Sequence, residues 1–334
     1  MPPTDIPIPP APAVVETEEL DNEVELREVE ILPEWLRERL DRALVSLLPA
    51  FSRNHLKHLI EDGFVCHVGS LVPVTKVAHL VKAAERYQIR LQPTDMSQAY
   101  QPQDMALDIV FEDEHLRVIH KPVGLVVHPA PGNWSGTLLN GLLALDPQAV
   151  MLPRAGIVHR LDKDTSGLMI VARTRLAMDA LVAMIAEREV HREYLAVAYR
   201  KWSGTPVRDI VAAIGRDYRN RLRMAVVDLE RLPGKEAHTT FECLSSQEEA
   251  CLVQCTLHTG RTHQIRVHMA HFGHPLVGDS LYAGPMTLGI DRQALHAFRL
   301  SFDHPITGAP LKFEAPLPDD MVNLLAGLGL KRPE

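Results

Sequence analysis

The segment Asp162-Lys163-Asp164-Thr165-Ser166-Gly167 sets two carboxylates, two hydroxyls and a cation between two apolar runs, GIVHRL and LMIVAR. If both flanks are buried, the loop ends are held and a reactive side chain can be kept in place. Asp, Thr and Ser also stabilise turns through their own side chains, and spacing alone favours a structural turn. Carboxylates at i and i+2 occur in metal-binding and glycosidase chemistry, but nothing in this spacing requires either. His159 stands just ahead of the loop, where bracing it is a commoner role than proton transfer; Thr165 and Gly167 would support the turn. Among His263, His268, His271 and His274 the last three have HxxH spacings, but no matching carboxylate arrangement accompanies them, so no metal ligation is read there. Tyr194, in YLAVAY, would ordinarily be a core or sheet-face aromatic. Arg266, in HQIRVHMAHF, lies near the edge of an apolar side formed by Ile265, Met269 and Phe272, which is the ordinary setting of a surface helical residue. Arg261, just before that helix, is suitably located to meet a phosphate.

These residues need elements to carry them. Thr262 is expected to cap the HQIRVHMAHF helix and Gly273 to end it; Thr174 can cap RLAMDALVAMIAE; TLLNGLLALDP reads as a further helix. LDIVFEDEHLRVIHKP reads as two strands around an acidic turn. Strands outnumber helices and do not alternate regularly with them, which predicts an α+β fold with a mixed, mostly antiparallel sheet. A small helical module begins near Leu36, with Leu36, Leu40, Ala43, Leu44, Leu47 and Leu48 at helical spacing. Pro49 stops that helix, and Ser52 is expected to cap a second one, RNHLKHLIED, ended by Gly63. Short β-type runs follow, FVCHV and LVPVTKV, and the module closes near YQIRLQP. From Leu36 to Gln92 there are nine Lys/Arg against five Asp/Glu, and Arg53 and Lys57 give the second helix a basic face. QPTDMSQAYQPQDM, polar with two prolines, suits a linker.

The bulk numbers are those of an ordinary soluble protein: 334 residues, 46% hydrophobic and 23% charged. The N-terminus has no basic start with an apolar run, and no stretch approaches the roughly 20 apolar residues of a membrane span. The expected compartment is the cytoplasm. The net charge of −8 resides in a tail: residues 1–34 hold ten acidic groups and one basic one, while the rest has 34 basic and 33 acidic. That tail has too few large apolar residues to fold alone and is expected to be disordered. Four cysteines form no CxxC pair, and Cys251 and Cys255 share a strand face in CLVQCTLH, as reduced core thiols would.

Three segments change the reading of the loop. GIVHRLDKDTSGLMIVART strongly resembles the signature of the RluA/RluD family of pseudouridine synthases, in which HRLDxxTSG carries the active-site aspartate. EVHREYLAVAY resembles the family's tyrosine-bearing strand, and LHTGRTHQIRVHMAHFGHPLVGDSLY its third motif. With KPVGLVVHPAPGN and RQALHAFRLSFDHPITG, the resemblance covers roughly residues 36–320. ERLDRALVSLLPAFSRNHLKHLIEDGFVCHVGS resembles the small RNA-binding domain named after the S-four ribosomal protein. It departs from that pattern at His67-Val68-Gly69, usually Val-Asn-Gly, and at Arg86-Tyr87, usually a Gly-Asp turn. The resemblance implies a pseudouridine synthase fold, a mixed, mostly antiparallel sheet flanked by helices, with domains at 1–34 (tail), 35–92 (S-four type), 93–105 (linker) and 106–334 (catalytic). It implies a monomer and no metal or organic cofactor. It also implies catalytic roles for Asp162, Tyr194 and Arg266, and RNA contacts for Arg53, Lys57, Arg160, Arg261 and His263. YQPQDMALDIVFEDE and PLVGD are most like the RluD branch, which modifies large-subunit ribosomal RNA in the stem-loop called helix sixty-nine.

That chemistry explains the residue types. Uridine must lose its nitrogen–sugar bond, rotate its base and rejoin through ring carbon five; uracil leaves as an anion, and a carboxylate can act as nucleophile or base. Desolvation opposes the charge of Asp162, and a guanidinium holding it by two hydrogen bonds would offset that. Tyr194 offers a ring for stacking and a hydroxyl near the proton lost from carbon five. Other large-subunit sites of the RluC type, or transfer RNA, remain as alternative substrates. A non-catalytic ribosome-assembly factor and a metal-dependent hydrolase are the alternatives of other classes. The intact HRLD aspartate disfavours the first of these, and stoichiometric zinc would favour the second.

Overall fold

A computed structural model describes residues 25–49, 51, 53–91, 99–130, 133–220, 222–286 and 288–332. They fall into two compact units, divided between residues 94 and 95. In the first unit, β1 (Glu25–Glu30), β2 (Val65–His67) and β3 (Arg86–Leu91) form an antiparallel sheet in the order β1-β3-β2, with α1 (Leu40–Leu47) and α2 (Arg53–Glu61). Leu40, Ala43, Leu44, Leu56, Leu59 and Ile60 are the buried faces of the two helices and pack with Val65, Tyr87 and Ile89. Leu36 is exposed, so the helix starts later than its leucine spacing suggests. Gly63, at φ +79, ends α2 as expected, while Ser52 lies outside the described residues. LVPVTKV forms no strand beyond an isolated bridge from Pro73 to Cys66.

Two expected boundaries shift. The tail was expected to run through residue 34, but 25–30 pair along β3; residues 1–24 lie outside the described residues. The expected linker also has a structured end: Asn140 Nδ2 donates to Ala99 O at 3.3 Å and Gln101 O at 2.8 Å, fastening that stretch to the second unit.

The second unit is built on a nine-stranded sheet. Its strands are β4 (Asp108–Glu112), β5 (Leu116–Lys121), β6 (Ser166–Ala172), β7 (His191–Tyr199), β8 (Val207–Val211), β12 (His238–Ser246), β13 (Ala250–Leu257), β14 (Leu295–Asp303) and β15 (Pro310–Glu314). A separate small sheet holds β9 (Ile214–Arg216), β10 (Met224–Val226) and β11 (Gly234–Lys235). The large sheet runs β4-β5-β6-β14-β7-β13-β12-β8, with β15 on β14, and β6 with β14 is its parallel pair. The fold is α+β with a mixed, mostly antiparallel sheet. α3 (Leu138–Leu145) and α5 (Gln264–His271) cover one face, packing with Met169, Val171 and Ala196. On the other face, α4 (Arg175–Glu187) packs with Leu168 and Ile170, and α6 (Asp319–Gly327) with Leu195 and Val197. β6 is therefore buried along its whole length, and each such Val, Leu or Ile contributes about 1.5–3 kcal/mol. Thr174 and Thr137 cap α4 and α3 through their side chains. Cys251 and Cys255 are buried free thiols on β13. Among the described residues no helix is long and apolar enough to cross a membrane.

Candidate active site

The loop carrying Asp162 leads into the fully buried β6. The apolar run GIVHRL makes one isolated bridge, Ile157 to Val171, so the loop needs other supports. They come from three side chains that loop-focused sequence reasoning missed. Lys121, at the end of β5 and 1% exposed, donates from Nζ to Pro122 O at 2.7 Å and to Leu125 O and Lys163 O at 3.0 Å. Burial pushes its pKa down to about 8, against the charges of Asp164 and Asp162, which raise it. Arg292 Nη1 donates to Asp164 O at 3.1 Å while its other arm grips Asp320, and Gln293 Nε2 donates to Thr165 Oγ1 at 3.2 Å. A lysine closing the strand run LRVIHK was the one visible signal for this frame.

The expected loop residues sit within it. Thr165 N donates to Asp162 O at 3.1 Å. Gly167 pairs with Ala297 across the parallel step; at φ +120, a Cβ there would lie 2.2 Å from Ala297 O, so the strand crossing requires glycine. His159 Nε2 accepts from Ile170 N at 3.0 Å, tying the loop's approach to β6. Burial pushes the His159 pKa down to about 3, consistent with a neutral ring that accepts through Nε2.

Arg266 is 6% exposed rather than at a helix edge, because α5 is buried toward the main core by Ile265 and Met269 and toward the small sheet by Val267. The helix begins at His263, in the left-handed region at φ 56 with no side-chain cap, and not at Thr262 as expected. Gln264 Oε1 instead accepts from Arg261 N and Thr259 Oγ1 and organises the turn. Arg266 Nη1 donates to Asp162 Oδ2 at 3.0 Å, a single bond where two were expected. The two-bond fork goes to Asp279, from Nε at 2.7 Å and Nη2 at 2.9 Å. Burial alone would lower the guanidinium pKa, but Asp279 and Asp162 raise it above its ordinary value. Asp279, in PLVGDS, follows Gly278 (φ +75), whose Cβ position lies 2.0 Å from Arg292 O.

His263 Nε2 lies 3.9 Å from the other oxygen, Asp162 Oδ1, too long for a hydrogen bond. Its Nδ1 is 2.9 Å from Tyr282 Oη, which accepts from Met224 N. When the Tyr282 hydroxyl donates to Nδ1, the ring proton sits on Nε2, facing Asp162. Burial lowers the His263 pKa despite the nearby Asp162. Tyr194, 4% exposed on β7, lines the same cavity as Asp162, and burial pushes its phenol up to about 12, so the hydroxyl is un-ionised at neutral pH.

A cleft of about 790 Å³ opens beside Asp162. Arg154, Arg160, Arg188, Arg192 and Arg261 line it, and Asp162 is the single carboxylate among its lining residues. Arg160 and Arg261 were expected here; Arg154, Arg188 and Arg192 were missed. Arg192 was legible in principle, since it lies two residues before Tyr194 on one strand and shares its face. Arg192 is 6% exposed, and its Nε is buried without a hydrogen-bond partner. His268 and His274 are engaged elsewhere, with Thr239 and Ala212 O and with Tyr199 O respectively. Arg53 and Lys57 belong to the first unit, where Arg53 pairs with Asp41 at 2.7 Å and Lys57 with Glu61 at 3.6 Å.

With this geometry in view, the relatives are informative. A model of the RNA pseudouridylate synthase family matches residues 115–271. The chain is 47% identical over 307 residues to ribosomal large subunit pseudouridine synthase D of Neisseria meningitidis serogroup A, covering 88% of this chain and 79% of that one. It is 47% identical over 304 residues to the protein of the same name from Xylella fastidiosa, covering 87% and 88%. Among solved structures, human RNA pseudouridylate synthase domain containing 1 superposes with a TM-score of 0.50 at 25% identity, over 69% of this chain and 97% of that one.

Proposed function

This chain belongs to the RluA/RluD family of RNA pseudouridine synthases, and from that premise we propose that it converts uridine to pseudouridine in large-subunit ribosomal RNA, with the helix sixty-nine stem-loop as target. The observation that carries the mechanism is the state of Asp162: one oxygen bonded to a guanidinium already forked to Asp279, the other unbonded at a basic cleft. A carboxylate so held is oriented and keeps one oxygen for the nucleoside. Arg266 fixes the orientation, and His263 presents its ring to the reacting oxygen.

In this reading the target uridine leaves its stack at a cost of a few kcal/mol and enters beside Tyr194. Asp162 acts on the nucleoside as the nitrogen–sugar bond breaks, the uracil anion turns within the pocket, and carbon five bonds to the sugar. Tyr194 contributes its ring face and an un-ionised hydroxyl beside the base, and the proton lost from carbon five is balanced by one gained at the nitrogen that left the sugar. Arg192, with its unpartnered Nε, and Arg261 meet backbone phosphates, which supply most of the affinity and its salt dependence.

The test is site-resolved pseudouridine mapping of ribosomal RNA from cells lacking the gene and complemented with wild type or Asp162→Asn. Wild type should restore pseudouridine in the stem-loop. Asp162→Asn should bind the RNA normally and lose turnover by on the order of 10⁴-fold or more. Substantial modification by that variant would remove Asp162 from the mechanism, and restoration at other large-subunit positions or in transfer RNA would reassign the substrate.

A further inference from the structure

The two places where the sequence departs from the small domain's usual pattern meet in space. His67 ends β2 opposite Tyr87 on β3, with ring centroids 4.5 Å apart, and His79 stands edge-on to both. Glu85, just before β3, completes the group. We propose that His67, His79 and Glu85 form a binding site for a divalent transition-metal ion of the zinc class, fastening β2, the intervening loop and β3 together. Each residue offers one ligand atom, and these atoms lie within 4.8 Å of one another.

Three features suit a metal. Two imidazoles and a carboxylate are borderline ligands that favour zinc over calcium or magnesium, and they leave a fourth position for water. The ligands need only close to roughly 3.3 Å from one another for tetrahedral bonds of about 2.0–2.1 Å. The carboxylate is already oriented: Glu85 Oε2 accepts from Tyr87 Oη and from Lys82 N, both at 2.8 Å, in the manner of the outer partners of metal ligands. His79 Nε2 is buried and has no hydrogen-bond partner, an unfilled need that an ion would meet.

A second group, Asp209, His238 and His258, has ligand atoms equally close. There, however, the atoms satisfy one another: His238 Nε2 lies 3.1 Å from Asp209 Oδ1, and Thr240 bridges Asp209 to His258. Asp209 is also exposed. The first-unit group is therefore the better site. A metal there would stabilise a small unit whose loop between β2 and β3 joins the core through Val81, with Val74 and Val77 packed against it.

Untagged full-length protein, stripped with chelator, is titrated with zinc chloride by calorimetry and against a chromophoric zinc indicator. One equivalent should bind per chain and raise the melting temperature. Affinity should fall at least about tenfold in His67→Ala and in the isosteric Glu85→Gln, each checked for native circular dichroism. The double variant His238→Ala/His258→Ala should keep that equivalent. Absence of saturable binding, unchanged affinity in Glu85→Gln, or loss only in the double variant overturns the proposal. If His67→Ala does not fold, Glu85→Gln decides alone.

Discussion

Each unit holds a buried or half-buried carboxylate between basic groups, and the two arrangements differ in what is left over. In the first unit, Asp41 is 2% exposed and accepts from Arg39 Nε at 2.9 Å and from Arg53 Nε and Nη2 at 3.0 and 2.7 Å. Both of its oxygens are occupied, and the arrangement ties α1 to α2. In the second unit the arginine is the shared partner: Arg266 is forked to Asp279 and gives Asp162 one bond. A carboxylate consumed by arginines is a structural clasp. One that shares an arginine already committed elsewhere keeps a lone pair available while remaining oriented, and that is the condition a reacting group requires.

The sharpest way to break this contrast is to free the arginine. Asp279→Asn removes the charge that holds the fork, so Arg266 should turn toward Asp162 and engage both of its oxygens. We expect kcat to fall about a hundredfold with KM little changed, as for a misplaced reacting group, and stability to fall by about 3 to 5 kcal/mol as a buried pair loses one member. Single-turnover kinetics on the stem-loop and urea denaturation measure the two effects. A kcat within twofold of wild type would mean that Asp279 has no part in orienting Asp162. Asp41→Asn is the companion: a loss of about 1 to 2 kcal/mol, discounted because both of its arginines are half-exposed, with the chemical step on a minimal stem-loop unchanged.

The same contrast marks how far the sequence could be read. Asp162, Tyr194 and Arg266 were named from motif strings, and the α+β class from the irregular order of strands and helices. Asp279 and Arg292 escaped because each lies outside the element it serves: the fork joins 266 on α5 to 279 in the loop beyond it, and Arg292 reaches back across more than a hundred residues to Asp164. Spacing rules see one element at a time, whereas Arg292 meets Asp164 because β14 lies beside β6 in the sheet. Arg266 was expected near a helix edge because periodicity counts one apolar side, while α5 is buried on two. The His263 start of α5 was missed because a left-handed histidine lies outside ordinary capping rules.

Acid titration separates the units by a different route. His296 is fully buried on β14, beside Ser166 Oγ at 2.9 Å, and burial, with His120 nearby, pushes its pKa down to about 4. The unfolded chain takes up this proton near pH 6.5 and the folded one does not, so His296 contributes stability above pH 6.5 that is lost as pH falls toward 4. The loss is about 1.4 kcal/mol per pH unit. Asp41 behaves oppositely in position: burial opposes its charge, but Arg39 and Arg53 hold its pKa below 3.8, so its contribution persists until the pH falls below that value. Between pH 6.5 and 4, stability should therefore drain from the second unit first. Hydrogen exchange resolved by unit tests this, and His296→Asn should flatten the slope by one proton. An unchanged slope in that variant would assign the acid sensitivity to another group.

The smallest effect concerns arginines at the surface, where commitment again decides the outcome. Arg53 uses Nε and Nη2 on Asp41, so Arg53→Gln should lower both stability and RNA affinity. The Arg261 guanidinium gives Nε to Glu236 O at 2.9 Å, and the residue lines the cleft. Arg261→Gln should thus leave stability within about 0.5 kcal/mol of wild type. It should reduce the slope of log Kobs against log salt by about 0.7 to 0.9, the release of one counterion from single- or double-stranded RNA. Filter binding of the stem-loop across a salt series reads that slope directly. Equal slopes for Arg261→Gln and wild type would mean that the guanidinium never touches phosphate, and the cleft's positive lining would then owe its RNA contacts to Arg154, Arg160, Arg188 and Arg192.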